Sequence, residues 1–222
     1  MKSEQTSIQE RLAAVRDEVP AHVTLVAVSK TKPQGAIEAA ASIGQIEFGE
    51  NRVQEMAEKA TALKGLNLEW HHIGHLQTNK VKQVVPHAHL IHAVDSERLL
   101  AEINKRSASI DKVSDVLLQI HIATEATKFG WSFSEFESFL QSQSWTDLSH
   151  VRIRGLMGMA TFTDNHQQVR REFQSLKTAF DSATALNKDW DTLSMGMSGD
   201  WKIAVDEGST MVRIGSSIFG KR

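Results

Sequence analysis

The stretch Thr24-Leu25-Val26-Ala27-Val28-Ser29 is a short apolar run that predicts a buried β-strand, and Lys30 follows it directly. Runs of the same kind recur along the chain, and amphipathic segments lie between them. Short strands that alternate with helices predict an α/β fold with a parallel sheet, and their number, eight, favours a closed (β/α)8 barrel. An open doubly wound sheet is the alternative. The predicted strands are Thr24–Ser29, Ile46–Phe48, Glu69–Ile73, Leu90–Ala93, Ser114–Ile122, Val151–Met157, Thr192–Met195 and Met211–Ile214.

The segments between the strands carry apolar residues at helical spacing. Ile8 and Leu12 recur at this spacing near the N-terminus, and Asp95-Ser96-Glu97 predicts the start of another helix. Val169–Leu186 predicts a long helix with one apolar face. No linker, low-complexity tract or shift in composition divides the sequence, so residues 1–222 are expected to form a single domain.

The composition excludes several classes of function. The 222 residues include 25 basic and 27 acidic side chains, a net charge of −2, which does not favour nucleic acid or an anionic membrane as a partner. The sequence has no cysteine, which excludes disulfides, thiolate catalysis and metals held by sulfur. Its first residues lack an apolar core of signal-peptide length, and no stretch of about 18 apolar residues occurs, so we expect a cytoplasmic protein.

In a (β/α)8 barrel the functional residues follow the strands at their C-terminal ends. Lys30 follows the first strand, where partial desolvation of its amine would leave a nucleophile able to form a Schiff base with an aldehyde. Glycine and serine are frequent in Ser194–Asp200 and Arg213–Ser217, around the ends of the seventh and eighth strands, where barrels often bind phosphate. The pattern predicts a phosphorylated aldehyde, which is either pyridoxal 5′-phosphate (PLP) or the sugar phosphate of a class I aldolase.

Several motifs occur in a characteristic order across nearly the whole chain. Through them the sequence resembles the YggS/PROSC family, the pyridoxal phosphate homeostasis proteins. The resemblance implies a single (β/α)8 TIM barrel similar to the N-terminal domain of alanine racemase, the fold-type III class of PLP proteins. It also implies a protein that binds PLP in vitamin B6 homeostasis without established catalytic turnover, with PLP-dependent apo-enzymes as candidate partners. The motifs are Val26–Pro33, Phe48–Glu55, Trp70–Lys80, Arg154–Met157, Leu193–Ser198 and Arg213–Gly220.

The resemblance further implies which residues bind the cofactor. Lys30 matches the lysine that forms the Schiff base, and Asn51 matches a residue that lines the cofactor beside the second strand. Arg213 could approach either the phosphate or the pyridine nitrogen, and the sequence leaves both roles open. No catalytic residue is assigned. The residues that match the phosphate-side motifs are Met197, Ser198, Arg213, Gly215 and Ser216, with Met197 contributing through its backbone.

An amino-acid racemase is the alternative function, because it would share the barrel and Lys30. Alanine racemases add a second domain, and a tyrosine from a partner subunit serves the opposite face of the substrate. A two-base mechanism needs a proton donor on each face, and the sequence contains no tyrosine, so His75 or Lys128 would have to replace it. Because the usual dimer contacts come with the second domain, we expect a monomer.

The clustered histidines do not predict a metal site. His71 and His72 are neighbours at the end of a predicted strand, so their side chains should point to opposite faces of the sheet. A zinc site would need three ligands that converge on one point. We therefore expect these imidazoles to serve as hydrogen-bonding groups and no metal to be bound.

Overall fold

Eight parallel strands close into a barrel in the computed structural model, which describes residues 4–125 and 129–220. Each strand pairs with the next one along the chain, and β1 also pairs with β8, from Thr24 beside Met211 to Ala27 beside Ile214. This last pairing closes the sheet, so the barrel prediction is confirmed and the open sheet is wrong. The strands are β1 (Thr24–Val28), β2 (Glu47–Glu50), β3 (Glu69–His72), β4 (Ala88–Val94), β5 (Ser114–Ile120), β6 (Val151–Gly158), β7 (Thr192–Met197) and β8 (Met211–Ile214).

Helices surround the barrel on its outside. The helix predicted at Asp95-Ser96-Glu97 is confirmed, because the Ser96 side chain accepts a hydrogen bond from the Leu99 N–H and caps it. The long helix begins at His166 rather than at Val169, because the Asn165 side chain caps an earlier turn. The helices among the described residues are α1 (Glu4–Glu18), α2 (Gln34–Ala41), α3 (Val53–Ala62), α4 (Val81–Val84), α5 (Glu97–Ala108), α6 (Phe133–Ser142), α7 (His166–Leu186), α8 (Trp201–Asp206) and α9 (Ser216–Phe219).

All eight predicted strands are present, but β2 and β7 each extend two residues further toward the C-terminal rim than predicted, and β4 and β6 each extend one residue further. β2 continues to Glu50 because Glu50 pairs with His72 of β3. β7 continues to Met197 because Met197 pairs with Arg213 of β8. The glycines in these two segments are typical of turns, yet cross-strand pairing keeps the segments in the sheet.

The strands contribute side chains to two separate cores, because successive residues point to opposite faces of the sheet. The outer face packs against the helices, and Phe48, Leu118 and Leu156 are among its fully buried side chains. The inner face supplies a smaller apolar cluster inside the barrel, formed by Val26, Leu90, Ala93, Leu117, Met157 and Met211. None of the helices described above combines the length and the apolarity needed to cross a membrane.

Replacement of Gly155 tests how closely β6 approaches β7. Gly155 has φ +147°, and an added Cβ would lie 1.9 Å from the carbonyl oxygen of Thr192, its partner on β7. We expect Gly155→Ala to lower the free energy of unfolding by about 2 kcal/mol or more, measured by urea denaturation. The matched control is Gly65→Ala, where an added Cβ meets no heavy atom within 4 Å. Equal losses in the two variants would contradict the prediction.

Candidate cofactor site

Lys30 follows β1 after one intervening residue, Ser29, and is half-buried at the rim formed by the C-terminal ends of the strands. The neighbouring strand across the closure is β8, and the turn that follows it begins at Gly215. An added Cβ at Gly215 would lie 3.1 Å from the carbonyl oxygen of Val28, which is tighter than an ordinary contact. The glycine therefore lets the Gly215–Ser216 turn approach the end of β1, and Lys30 and this turn share one part of the rim.

Asn51 follows β2 on the other side of Lys30. Its side-chain oxygen Oδ1 is buried and accepts no hydrogen bond from the described residues. The segment that follows β3 packs directly against the Asn51 backbone, since an added Cβ at Gly74 would lie 2.3 Å from the Asn51 carbonyl oxygen. A buried acceptor without a donor costs about 1–3 kcal/mol, so this oxygen is suited to a ligand that supplies a donor.

Arg213 lies on β8 itself and points into the barrel. Its side chain is almost completely buried, with 4% of the residue exposed. The guanidinium donates one hydrogen bond to Ser194 Oγ at 2.5 Å and another to the Gly158 carbonyl oxygen at 3.0 Å. Burial lowers the pKa of Arg213 to about 10 against an opposing effect of Asp200, so the group is still a cation at neutral pH. No carboxylate of the described residues lies within salt-bridge distance of this guanidinium.

Ser194 begins a chain of buried hydrogen bonds that crosses the barrel interior. Its Oγ lies 3.1 Å from His92 Nδ1, and His92 Nε2 lies 2.9 Å from His71 Nδ1. Ser194 accepts from Arg213, and its own hydroxyl proton is available for donation to His92 Nδ1. With that donation, the proton of His92 lies on Nε2 and is donated to His71. Ser194 lies within β7, as the predicted strand Thr192–Met195 implies, and its hydroxyl faces Arg213 and His92.

Burial keeps the imidazoles of His71 and His92 in this hydrogen-bonded series neutral. Desolvation lowers the pKa of His71 to about 3, with a smaller contribution from His89. The pKa of His92 is also lowered, first by burial and then by His71 and Arg213. Neutral imidazoles can each donate and accept one hydrogen bond, as the chain requires. Across residues 4–125 and 129–220, no three His, Asp or Glu side chains form a group that could hold a metal ion.

The ends of β7 and β8 are joined by hydrogen bonds at the rim. Ser198 Oγ accepts the Gly215 N–H at 3.1 Å, which holds the two segments together. The Met197 N–H donates to Asp200 Oδ1 at 2.6 Å, so this backbone group already has a protein acceptor. Ser216 starts the short helix α9, and the first amides of a helix have no acceptor within the helix.

Opposite this group, the rim carries an aromatic contact. The ring of His75 stacks on Phe129, with centroids 3.7 Å apart and an angle of 12° between the planes. His75 Nδ1 also lies 3.1 Å from Asp95 Oδ2. Lys128, the other candidate for a second base, lies outside the described residues.

A cavity opens at the opposite, N-terminal end of the barrel. Its volume is about 320 Å³, and charged side chains such as Glu47, Glu69 and Arg154 line it. His71 reaches this cavity from within the barrel and is the last residue of the buried chain. The cavity therefore lies far from Lys30 and is not the predicted site.

Comparison with known proteins gives the relationship of the chain. Residues 4–222 match the family described as alanine racemase, N-terminal domain. The pyridoxal phosphate homeostasis protein of Aquifex aeolicus is 40% identical over 203 residues, which cover 89% of this chain and 86% of that protein. The chain belongs to the pyridoxal phosphate homeostasis protein family. Membership in this family confirms the resemblance predicted from the motifs.

Solved structures agree with this membership in the homeostasis family. PipY of Synechococcus elongatus, in a structure with PLP bound, is 36% identical and superposes with a TM-score of 0.88, covering 96% of this chain and all of that one. An alanine racemase from Clostridium difficile superposes with a TM-score of 0.80 at 14% identity, covering 98% of this chain and 60% of the racemase. The second comparison shows a shared fold alone.

In this pyridoxal phosphate homeostasis family member, the residues predicted for the cofactor fall into two groups. Arg213 is inside the barrel, below the rim. His71 and His92 were not predicted to accompany it, although histidines at inward positions of otherwise apolar strands were a usable signal. The predicted residues at or beside the rim are Lys30, Asn51, Met197, Ser198, Gly215 and Ser216.

The buried imidazoles of this family member predict a loss of stability in mild acid. The folded barrel keeps His92 neutral, whereas the unfolded chain protonates it below its ordinary pKa of about 6.5. Between pH 7.5 and pH 5.5, one such histidine removes about 1.4 kcal/mol from the free energy of unfolding. We therefore expect the wild type to lose about this much more than His92→Gln over the same interval, measured by urea denaturation. Parallel losses in the two proteins would show that His92 is protonated in the folded barrel.

Proposed function

We propose that this chain binds PLP in intracellular vitamin B6 homeostasis and holds it on Lys30 without catalytic turnover. The observation that carries the proposal is the closure of the barrel, which puts half-buried Lys30, just beyond the end of β1, next to β8 with its buried Arg213. An amine at the rim suits the aldehyde of PLP, and a buried cation on the neighbouring strand suits the nitrogen of its pyridine ring. The names of the curated relatives and the PLP-bound structure of PipY support the same cofactor.

Different rim residues would bind different parts of PLP. PLP supplies an aldehyde that condenses with an amine, and Lys30 is the proposed amine. The buried Oδ1 of Asn51 would accept a hydrogen bond from the cofactor, and this bond would offset the cost of burying an acceptor that has no donor among the described residues. The Ser198 hydroxyl and the Ser216 amide would donate to the phosphate, and Gly215, whose own N–H donates to Ser198 Oγ, would let the backbone approach it. Met197 would complete this wall through its backbone, with its amide held by Asp200.

For Arg213 we propose the pyridine nitrogen rather than the phosphate as the partner. The guanidinium is anchored to Ser194 and to the last residue of β6, below the turns that follow β7 and β8. An arginine donor leaves that nitrogen unprotonated, whereas a carboxylate would keep it protonated and make the ring a stronger electron sink. This arrangement favours retention of the cofactor over carbanion chemistry.

A racemase is the second candidate, because the fold is shared with alanine racemase. Removal and return of a proton on opposite faces of a substrate needs two groups beside the cofactor. The sequence offers no tyrosine for the second role, and His75 is engaged with Phe129 and Asp95. We therefore propose a binding protein and not a dedicated racemase.

The proposal extends to the setting in which the protein acts. We propose that residues 1–222 act as one PLP-binding domain and as a monomer in the cytoplasm. PLP-dependent apo-enzymes are the proposed recipients of the cofactor. The match to the homeostasis proteins along nearly the whole chain supports this extension, since the shared region includes every strand of the barrel.

Substitution of Lys30 tests the covalent part of the proposal. We expect the wild type to turn yellow with PLP and borohydride to fix a pyridoxyl group on the peptide that contains Lys30. Lys30→Ala should lose both signals, because no amine is left at the end of β1. Lys80→Ala, which removes an exposed lysine after β3, should keep them. A yellow Lys30→Ala protein with the label on another lysine would contradict the assignment.

Turnover by the PLP-loaded wild type tests whether the protein is a holder or an enzyme. We expect no appreciable racemisation of alanine or serine and no cleavage of sugar phosphates, because the candidate second base His75 is engaged with Phe129 and Asp95. Chiral chromatography of the amino acids after long incubation provides the measurement. Sustained turnover of any of these substrates that disappears in Lys30→Ala would favour the enzyme instead.

A further inference from the structure

A buried lysine lies behind β1, on the side of the strand that faces helix α3. Lys59 of α3 is 6% exposed. Its ammonium Nζ donates to the Ser29 carbonyl oxygen at 2.9 Å, to Glu50 Oε1 at 2.8 Å and to Glu55 Oε1 at 2.7 Å. An ammonium has three N–H groups, so these acceptors use all of its donors.

The same cluster holds the backbone on both sides of Lys30. Before Lys30, the Ser29 hydroxyl donates to Glu50 Oε1 at 2.6 Å, and the Ser29 carbonyl accepts from Lys59. After Lys30, the Thr31 N–H donates to Glu55 Oε1 at 2.5 Å. The two residues that flank Lys30 are therefore both hydrogen-bonded to this cluster, which consists of the Lys59 ammonium and the carboxylates of Glu50 and Glu55.

Thr31 shows why the chain needs this support. Its φ of 65° lies in the left-handed region, which a β-branched residue rarely adopts. Such a conformation persists only where the surroundings hold it, and strained backbone of this kind is concentrated at functional sites. The hydrogen bond from the Thr31 amide to Glu55 is the contact that holds it here.

From these contacts we infer that Lys59, Glu50 and Glu55 form a positioning device for Lys30, which presents its amine to the PLP aldehyde. The inference rests on the proposed function and adds to it the residues that orient the amine. In the reaction concerned, the neutral amine of Lys30 adds to the aldehyde carbon. The carbonyl oxygen then leaves as water as the C=N bond forms, and both protons of that water come from the amine nitrogen and solvent.

The cost of the cluster supports a positioning role over a purely stabilising one. Buried ion pairs contribute little net stability, because desolvation of both charges offsets their attraction. Burial raises the pKa of Glu50 against the opposing hydrogen bonds from Lys59 and Ser29, and Glu50 Oε2 has no partner among the described residues. An apolar contact would join α3 to the barrel at lower cost, but it would not hold the Ser29 carbonyl and the Thr31 amide.

Four variants separate positioning from folding. Glu55→Ala removes the acceptor of Thr31 and leaves Lys59 bonded to Ser29 and Glu50, so it is the milder test. Glu55→Gln keeps an oxygen acceptor at the same place. Lys59→Met removes the ammonium at similar length. Glu58→Ala, on the exposed side of α3, is the matched control.

The measurement compares the covalent step with binding alone. PLP is mixed with each protein, and samples quenched with borohydride at timed intervals give the rate at which Lys30 is labelled. Equilibrium binding of pyridoxine 5′-phosphate, which carries an alcohol in place of the aldehyde, reports the pocket without the covalent step. We expect Glu55→Ala and Lys59→Met to slow labelling about tenfold or more, since small misplacements of a reacting group cost up to about 100-fold. Their affinity for the alcohol analogue should stay within about threefold of the wild type.

The controls decide how each result is interpreted. Glu55→Gln and Glu58→Ala should label at rates close to the wild type. Wild-type labelling rates in folded Glu55→Ala and Lys59→Met would overturn the positioning role, as would an equal loss of affinity for the alcohol analogue. If Lys59→Met does not fold, Glu55→Ala carries the test alone. Absence of label on Lys30 in the wild type would instead show that the proposed function itself is wrong.

Discussion

The pairing of β1 with β8 is the constraint on which the rest of the molecule depends. Parallel strands direct all their C-terminal ends to one rim, so a closed barrel collects side chains from distant parts of the sequence there. The closure places Val26 beside Arg213, and it brings Gly215 against Val28 just below Lys30. An amine, a cation and a turn with available amides thus become neighbours although they lie near opposite ends of the chain.

The barrel stabilises its buried cation with neutral groups. Arg213 donates to a hydroxyl and a carbonyl, and the hydroxyl is hydrogen-bonded to the first of two linked imidazoles that burial keeps uncharged. A carboxylate in the place of Ser194 would pair with the guanidinium and cancel its charge. The neutral hydrogen-bonded side chains satisfy donors of Arg213, and no carboxylate of the described residues lies within salt-bridge distance of it. On the outer side of β1 the buried cation is instead paired with anions, since Lys59 forms salt bridges with the carboxylates of Glu50 and Glu55.

Local patterns in the sequence were sufficient to predict the strands, their number and the place of Lys30, because apolar runs and their ends are short-range features. The ends of β2 and β7 were wrong, because Gly49 and Gly196 are typical of turns while the pairing of Glu50 and Met197 depends on neighbouring strands. The hydrogen-bonded chain from Ser194 to His71 joins three strands, so no local window contains it. The role of Lys59 could not be predicted from a local window either, because only the packing of α3 against β1 brings its ammonium to the Ser29 carbonyl.

The closure also has a consequence for the order in which the protein is made. Chains emerge from the ribosome N-terminus first, so β1 and Lys30 exist long before β8 can pair with them. The contact between them is among the most distant in the sequence, and such contacts form late in folding. A ligand that needs both strands stabilises only the finished barrel, by mass action. Capture of the cofactor would therefore report that synthesis and folding of the last strand are complete, and a chain released early would have no means of retaining it.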